Sequence, residues 1–129
     1  MNTLPPGILP TVLDDQRLRK MAEDTTCAVA EQFATNYGRM LPGRILRIGG
    51  AVHAGDREAA LDAALSLKTS SALIGALRME LICTRLQHAI ERADSHEAEK
   101  ALREAQHHHP QLAAALANTV PAKHIMLPA

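Results

Sequence analysis

Apolar residues recur at three- and four-residue spacing along most of the chain, as they do on the buried face of an amphipathic helix. The β-branched and aromatic residues never cluster in the period-two alternation of a strand. Alanine and leucine dominate instead, with glutamate, arginine and glutamine between them, and all five are strong helix formers. The pattern predicts an all-α domain in which short loops join antiparallel neighbours of a helical bundle.

The first part of the chain is predicted to contain two helices. Asp14-Asp15 is a suitable N-cap for a short one, which ends near Glu23. Asp24-Thr25-Thr26 is predicted to start the second. Its apolar stripe is formed by Val29, Phe33 and Tyr37.

A break is predicted after the second helix, at Leu41-Pro42-Gly43, shortly after Gly38. Proline removes one amide donor and bends or ends a helix at the residue before it. A third helical segment would therefore follow the break and end near Ala54-Gly55. It carries the apolar residues Ile45, Ile48 and Val52.

Three more helices are predicted in the second part of the chain. Asp56 follows Gly55 and is a good N-cap for the first of them, which ends near Gly75. Asp94-Ser95 separates the second from the last, which Pro110 would break or kink. The apolar stripe of the second helix is Met79, Ile82, Leu86, Ala89 and Ala93.

The chain of 129 residues has the length of one ordinary domain. Residues 1–12 contain Pro5, Pro6, Gly7 and Pro10 and are expected to form an extended arm. Residues 118–129, with two further prolines, are expected to form a C-terminal tail. The helical domain is thus predicted to span residues 13–117.

Composition excludes several classes of function. The 14 basic and 14 acidic residues leave a net charge of zero, so the basic footprint of a nucleic-acid binder is missing. No apolar run approaches the roughly 18–20 residues that span a bilayer. Two cysteines, Cys27 and Cys83, make neither a disulfide framework nor a zinc site. The expectation is a cytoplasmic protein without a cofactor, a metal, a nucleic-acid partner or a membrane partner.

The most informative segment is ALSLKTSSALIGA, residues 64–76. It resembles the signature of histidine phosphotransfer (HPt) domains, which runs Ala-His-x-Leu-Lys-Gly-Ser-Ser and ends, after three variable or apolar positions, in Gly-Ala. The matching residues are Ala64, Leu67, Lys68, Ser70, Ser71, Gly75 and Ala76. The similarity extends to Phe33, Leu41-Pro42 and Gly55-Asp56 before the segment, and to Met79, Ile82, Cys83 and Leu86 after it. The resemblance covers most of residues 13–117 and implies an up-down-up-down four-helix bundle with a short additional N-terminal helix, acting in a two-component phosphorelay.

The chain departs from the HPt pattern at two neighbouring positions. The family has its phosphate-accepting histidine three residues before the lysine, and this chain has Leu65 there. Thr69 stands where the family has a small residue, usually glycine. Leucine has no lone pair and forms no phosphoramidate, while a branched residue narrows the space for a phosphate donor. The resemblance therefore implies a degenerate member, a pseudo-HPt, with no catalytic residue and no enzymatic activity.

A docking role is compatible with these substitutions. An isolated exposed leucine is ordinary and needs no explanation. Here, however, an apolar stripe with a charged rim would suit a protein partner. The candidate docking residues are Leu61, Leu65, Lys68, Thr69 and Ala72. The resemblance implies that the partner is a response-regulator receiver domain or a histidine kinase, which this chain would bind without accepting phosphate.

Two alternatives remain open. The first is phosphotransfer through His88, which an antiparallel hairpin centred near Leu77 would bring level with Leu65. Its register points it away from the core, and no lysine stands three or four residues away. The second is an oligomerisation module, in which the proline-rich arms support a homodimer.

The histidine triplet His107-His108-His109 raises the question of a metal site. Successive helical positions point about 100° apart, so three neighbours do not converge on one ion. No cysteine or carboxylate at the required spacing completes a ligand set. The triplet is therefore interpreted as polar residues near the end of a helix, and no metal site is expected.

Overall fold

The computed structural model describes residues 9–119, which form five α-helices and no strand. The helices are α1 (Asp15–Asp24), α2 (Cys27–His53), α3 (Arg57–Ile74), α4 (Leu77–Glu91) and α5 (Ser95–Thr119). This confirms the predicted all-α bundle with an additional short N-terminal helix. None of the helices in the described part is long and apolar enough to cross a membrane.

Helices α2 to α5 form the four-helix bundle, and each runs antiparallel to the next. Hydrogen bonds between helices show the antiparallel direction. Along each pair, the residue numbers of the bonded partners rise on one helix and fall on the other. Between α3 and α4, Arg57 contacts Glu91 and Lys68 contacts Gln87. Arg78 and Arg85 of α4 contact Gln111 and Glu104 of α5 in the same manner. Helix α5 also packs against α2, which closes the four-helix arrangement, and α1 packs across α2 and α3.

Side-chain caps start the helices where the sequence predicts them. Asp14 Oδ1 accepts a hydrogen bond from Gln16 N, and Thr26 Oγ1 accepts one from Val29 N. Asp56 and Asp94 accept from backbone amides three residues later, at the starts of α3 and α5. Each cap satisfies an amide that has no partner within the helix.

Gly75 ends α3 and forms the turn into α4. Its φ of 85° lies in the left-handed region, and a Cβ there would collide with the carbonyl oxygen of Asp14. The Gly75 carbonyl oxygen also accepts a hydrogen bond from Asp14 N at 2.7 Å. This bond connects the residue before α1 to the turn between α3 and α4. Glycine is therefore required both by the backbone conformation and by the close approach of the N-terminal segment.

The predicted break at Leu41-Pro42-Gly43 is wrong. Helix α2 continues through Pro42 and includes the segment expected to form a separate helix. An internal proline costs about 3 kcal/mol. Full burial of Leu41 and Ile45 on either side contributes roughly 1.5–3 kcal/mol each, enough to offset that cost. Pro110 likewise lies inside α5, which does not end there.

The inward stripe of α2 also differs from the predicted one. Val29 is exposed and Phe33 is half-buried. The buried residues are Ala30, Ala34, Tyr37, Leu41, Ile45 and Ile48. Small alanines bring the helices close together, whereas the larger Val29 lies on the solvent side.

The core is apolar apart from one hydrogen-bonded pair, Tyr37 and Ser71, and the histidine described below. The two hydroxyl oxygens are 2.7 Å apart between α2 and α3. Burial raises the pKa of the Tyr37 phenol well above its usual range. Burial also raises the pKa of the Cys83 thiol to about 12, so this cysteine stays a protonated core residue.

The predicted arms are only partly within the described residues. Residues 9–12 are non-helical, and Pro10 and Thr11 accept hydrogen bonds from Arg78. Residues 1–8 and 120–129 lie outside the described part. Helix α5 continues to Thr119 and so includes the first two residues of the predicted tail.

Candidate functional site

Leu65 lies near the middle of α3 on its outer face and is 40% exposed. Its neighbours Ala64 and Leu67 are buried in the core. This arrangement follows from helical geometry, since residues 64, 67 and 71 share one face and position 65 lies on the other. Leu65 therefore has the outward orientation that is expected of this position.

The other four candidate docking residues differ in exposure. Thr69, one turn after Leu65, is exposed. Leu61, Lys68 and Ala72 are half-buried, and Leu61 packs against the core. The backbone carbonyl of Ala72 accepts a hydrogen bond from Arg17 of α1 at 2.9 Å. The surface is thus an open centre at Leu65 and Thr69 beside a partly covered row, in which Lys68 contacts α4 and Ala72 contacts α1.

Lys68 is held against α4. Its Nζ donates to Gln87 Oε1 at 3.0 Å, and Gln87 Nε2 in turn donates to Glu91 Oε2 at 3.1 Å. The lysine partner is a neutral amide, so the ammonium charge is oriented without being neutralised by direct pairing. An anion approaching Leu65 would find this charge on the same side of α3.

Arg44 of α2 is a second cation at this surface, and sequence analysis missed it. Its Nη1 donates to Ser70 Oγ at 3.0 Å and its Nη2 donates to Ser66 Oγ at 2.6 Å. Ser70 Oγ also donates to the Ser66 carbonyl at 3.0 Å. The only sequence signal is the four-residue spacing of the two serines, because the position of Arg44 depends on how α2 and α3 pack.

The surface contains hydroxyl groups but no activated nucleophile. Serine and threonine hydroxyls attack phosphorus only when a nearby base accepts their proton. Ser66 and Ser70 contact the guanidinium of Arg44, which is permanently protonated and is no base. Within residues 9–119, neither serine therefore has a base among its hydrogen-bond partners, which are the Arg44 guanidinium and a backbone carbonyl.

His88 is exposed on α4. The Lys68–Gln87 contact between α3 and α4 brings this part of α4 level with position 65. As the register predicts, His88 points away from the core, whereas Leu86 and Ala89 are buried. No lysine hydrogen bonds to it among the described residues.

The interpretation of the histidine triplet as a helix end is wrong, because α5 continues ten residues beyond His109, to Thr119. His108 is buried, and its Nε2 has no hydrogen-bond partner among the described residues. Burial, followed by the charge of Arg78, lowers the pKa of His108. Within residues 9–119, no three histidine, cysteine, aspartate or glutamate side chains are placed to hold a metal.

Leu65 lines neither of two pockets in the described part of the chain. A cavity of about 180 Å³ lies instead where the α2–α3 and α4–α5 turns meet, lined by Val52, Asp56, Ala60, Ile90, Asp94 and Ala98, among others. It shares no residue with the candidate docking surface. The other pocket, of about 660 Å³, lies between α1 and the end of α3 and is lined by Arg17, Met21, Ala72 and Leu73, among others. The candidate docking surface therefore borders a groove at its Ala72 end.

Comparison with known proteins gives one informative match. The crystal structure of histidine-containing phosphotransfer protein B from Pseudomonas aeruginosa PAO1 superposes with a TM-score of 0.74 at 20% sequence identity. The match covers 81% of this chain and 90% of that chain. No protein-family model and no curated protein matches the sequence. At this identity the likeness shows a shared fold, an HPt-like helical bundle.

Proposed function

We propose that this chain is a signalling module of a two-component phosphorelay that docks a receiver domain or a histidine kinase and accepts no phosphate. Its fold is similar to that of a phosphotransfer protein, and the segment from Ala64 to Ala76 resembles the HPt signature. The observation that carries the proposal is Leu65, exposed where the family has its histidine.

The chemical part of the proposal follows from the side chain at position 65. A phosphoacceptor needs a nucleophilic atom in contact with solvent, and leucine offers only carbon. Thr69 adds bulk one turn away, where a donor active site would have to approach. Lys68 remains on the same side of the helix, so the surface keeps an orienting charge and lacks the group to be phosphorylated.

The docking part follows from the balance of apolar and polar groups. Leu65 and Thr69 form the accessible centre, while Leu61, Lys68 and Ala72 form the row beside it. The surface thus mixes apolar side chains with a hydroxyl group and a cation, as protein interfaces commonly do. Acting in the cytoplasm, such a module would sequester its partner or compete with an active phosphotransfer protein.

Binding and phosphotransfer are to be measured in parallel on receiver domains and histidine kinases from the same genome. We expect at least one to bind, and Leu65→Arg to weaken that binding by about tenfold or more, as loss of an interface centre does. Leu81→Arg is the matched control, since Leu81 of α4 is similarly exposed and lies beside α5 residues instead. Absence of any binding partner in the full set would contradict the docking role.

Phosphotransfer is tested by incubating the chain with receiver domains that carry radiolabelled phosphate. We expect no label on this chain. The alternative is phosphotransfer to His88, which is favoured only by the exposure of His88 and by its position level with Leu65 along the bundle. It predicts an acid-labile label on this chain that the substitution His88→Ala removes. His96→Ala, at an exposed histidine of α5, is the control for that variant.

A gain-of-function variant tests the two parts together. Leu65→His with Thr69→Gly restores the acceptor and the space beside it, with Lys68 already on the same side. We expect this double variant to take label from a receiver that binds the parent chain. Binding without any transfer would show that the surface differs from a relay site in more than these two residues.

A further inference from the structure

The positive charges around Leu65 are not paired with carboxylates. Arg44 and Lys68 contact only the neutral groups of Ser66, Ser70 and Gln87. Arg47, one turn after Arg44, is exposed and also forms no ion pair in the described part of the chain. Ion pairs within residues 9–119 are formed by Arg17, Arg19, Lys20, His53 and Arg85. Several cations elsewhere in this range also form no ion pair, namely Arg39, Arg57, Arg78, Arg92, Lys100 and Arg103.

Arg44 has a restricted side-chain conformation and hydrogen-bond donors that remain unused. A guanidinium has five N–H donors in a rigid fork, and the two serines use two of them. Because hydrogen bonds to α3 already restrict the side chain, binding an acidic group would cost less rotamer entropy than it would for a free arginine. The remaining donors suit a carboxylate, which accepts two parallel N–H bonds.

Apolar side chains lie beside these charges on both helices. Met40 precedes Arg44 by one turn and is 55% exposed, while Leu73 follows Ser70 by three residues and is 53% exposed. Residues three or four apart share a helix face. Met40 therefore shares a face of α2 with Arg44, and Leu73 shares a face of α3 with Ser70. Because Arg44 bonds to Ser66 and Ser70, both apolar side chains lie on the surface where α2 meets α3.

We propose that the docking face extends from α3 across α2, and that Arg44 determines specificity by selecting a receiver domain whose contact surface carries carboxylates around an apolar centre. This inference rests on the proposed docking function and adds the chemistry of the partner. Glu58 and Asp62 lie on exposed positions nearer the start of α3, so the acidic groups of the partner face the Arg44 end. The charge pattern thereby sets the orientation of the complex.

The experiment measures the dissociation constant of a binding receiver domain for four variants at low and at physiological salt. We expect Arg44→Glu to weaken binding by about tenfold or more and Arg44→Gln by less, because reversal adds repulsion to the lost attraction. Arg103→Glu is the matched control, since Arg103 is an exposed arginine on α5 with no ion pair among the described residues. The fourth variant, Ser66→Ala with Ser70→Ala, keeps the charge of Arg44 and removes its positioning.

Thermal unfolding of each variant separates docking from folding, because Arg44 also bridges α2 and α3. A variant that unfolds below the assay temperature is replaced by Arg47→Glu. This substitution changes the charge of the docking face and leaves the hydrogen bonds of Arg44 to α3 intact. We also expect the affinity of the parent chain to fall with added salt and that of Arg44→Glu to fall less.

The outcomes distinguish this inference from the function on which it rests. One outcome is that Leu65→Arg abolishes binding while Arg44→Glu and Arg47→Glu bind like the parent at every salt concentration. The docking function is then supported, and the proposal that the partner surface is acidic is wrong. If Arg103→Glu weakens binding as much as Arg44→Glu, the effect is one of net charge and the specificity role is wrong. If no receiver domain binds at all, both proposals fail.

Discussion

The two faces of α3 differ in how closely they follow the HPt pattern. The inner face has Ala64, Leu67 and Ser71, all buried and all matching the signature. The outer face is mixed, since the exposed Leu65 and Thr69 depart from the signature while the half-buried Lys68 and Ser70 match it. Inner residues are constrained because their volumes must fill the core, whereas an outer residue contributes little to stability. A helix can therefore keep its place in the bundle when residues on its outer face differ.

The largest expected effect is on the inner face. We expect Leu67→Ala to lower the free energy of unfolding by about 2–5 kcal/mol, because it removes buried methyl groups and leaves a cavity. Urea denaturation followed by circular dichroism measures this loss. Leu65→Ala is the matched outer-face variant, and we expect it to change stability by no more than about 0.5 kcal/mol. Equal losses for the two leucines would contradict the contrast between the faces.

The next largest effect is expected at the end of α3. Gly75→Ala should lower the free energy of unfolding by roughly 1–3 kcal/mol, because alanine is strained at positive φ and its Cβ meets the Asp14 carbonyl. Gly43→Ala is the control, since a Cβ at that helical position contacts nothing and removes the entropic disadvantage of glycine. The same denaturation experiment gives both values. A stabilising Gly75→Ala would show that α1 is not fastened to this turn.

A pH-dependent effect is expected at the buried His108 of α5. Its pKa lies below the ordinary value of 6.5 because burial and Arg78 disfavour the charged form. The unfolded chain then binds more protons than the folded one, so stability falls as pH drops below about 6.5 and through the lower folded pKa. We expect His108→Leu to reduce this loss, because leucine has no group that takes up a proton at this position. His107→Leu, at an exposed histidine, should leave the pH profile unchanged.

The smallest effect on stability is expected for the double variant Leu65→His, Thr69→Gly. Both positions are on the outer face, and glycine in place of threonine costs a few tenths of a kcal/mol in helix propensity. We therefore expect nearly unchanged unfolding together with a gain of phosphotransfer. A large loss of stability would show that the outer face also supports the fold.

Local signals predicted much of the fold. The capping residues Asp14, Thr26, Asp56 and Asp94, together with Gly75, mark helix boundaries that the structure confirms. These signals succeed because a cap or a left-handed turn involves only residues that are near in sequence. The outward position of Leu65 follows equally from helix periodicity.

Local signals failed where burial outweighed them. Pro42 and Pro110 are helix breakers by themselves, yet both lie inside helices whose neighbouring turns are packed in the core. His108 was expected near a polar helix end and is instead buried. Each error has one cause, namely that the preference of a single residue was weighed without the apolar area buried around it.

The sequence alone determined the helical class, the helix starts and the outward position of Leu65, because these depend on spacing and residue type. Only the tertiary structure placed Arg44 against Ser66 and Ser70 and tied Lys68 to Gln87. Those contacts join residues 19 to 26 positions apart. Their existence depends on the relative rotation and register of packed helices, which are set by the fit of the whole core.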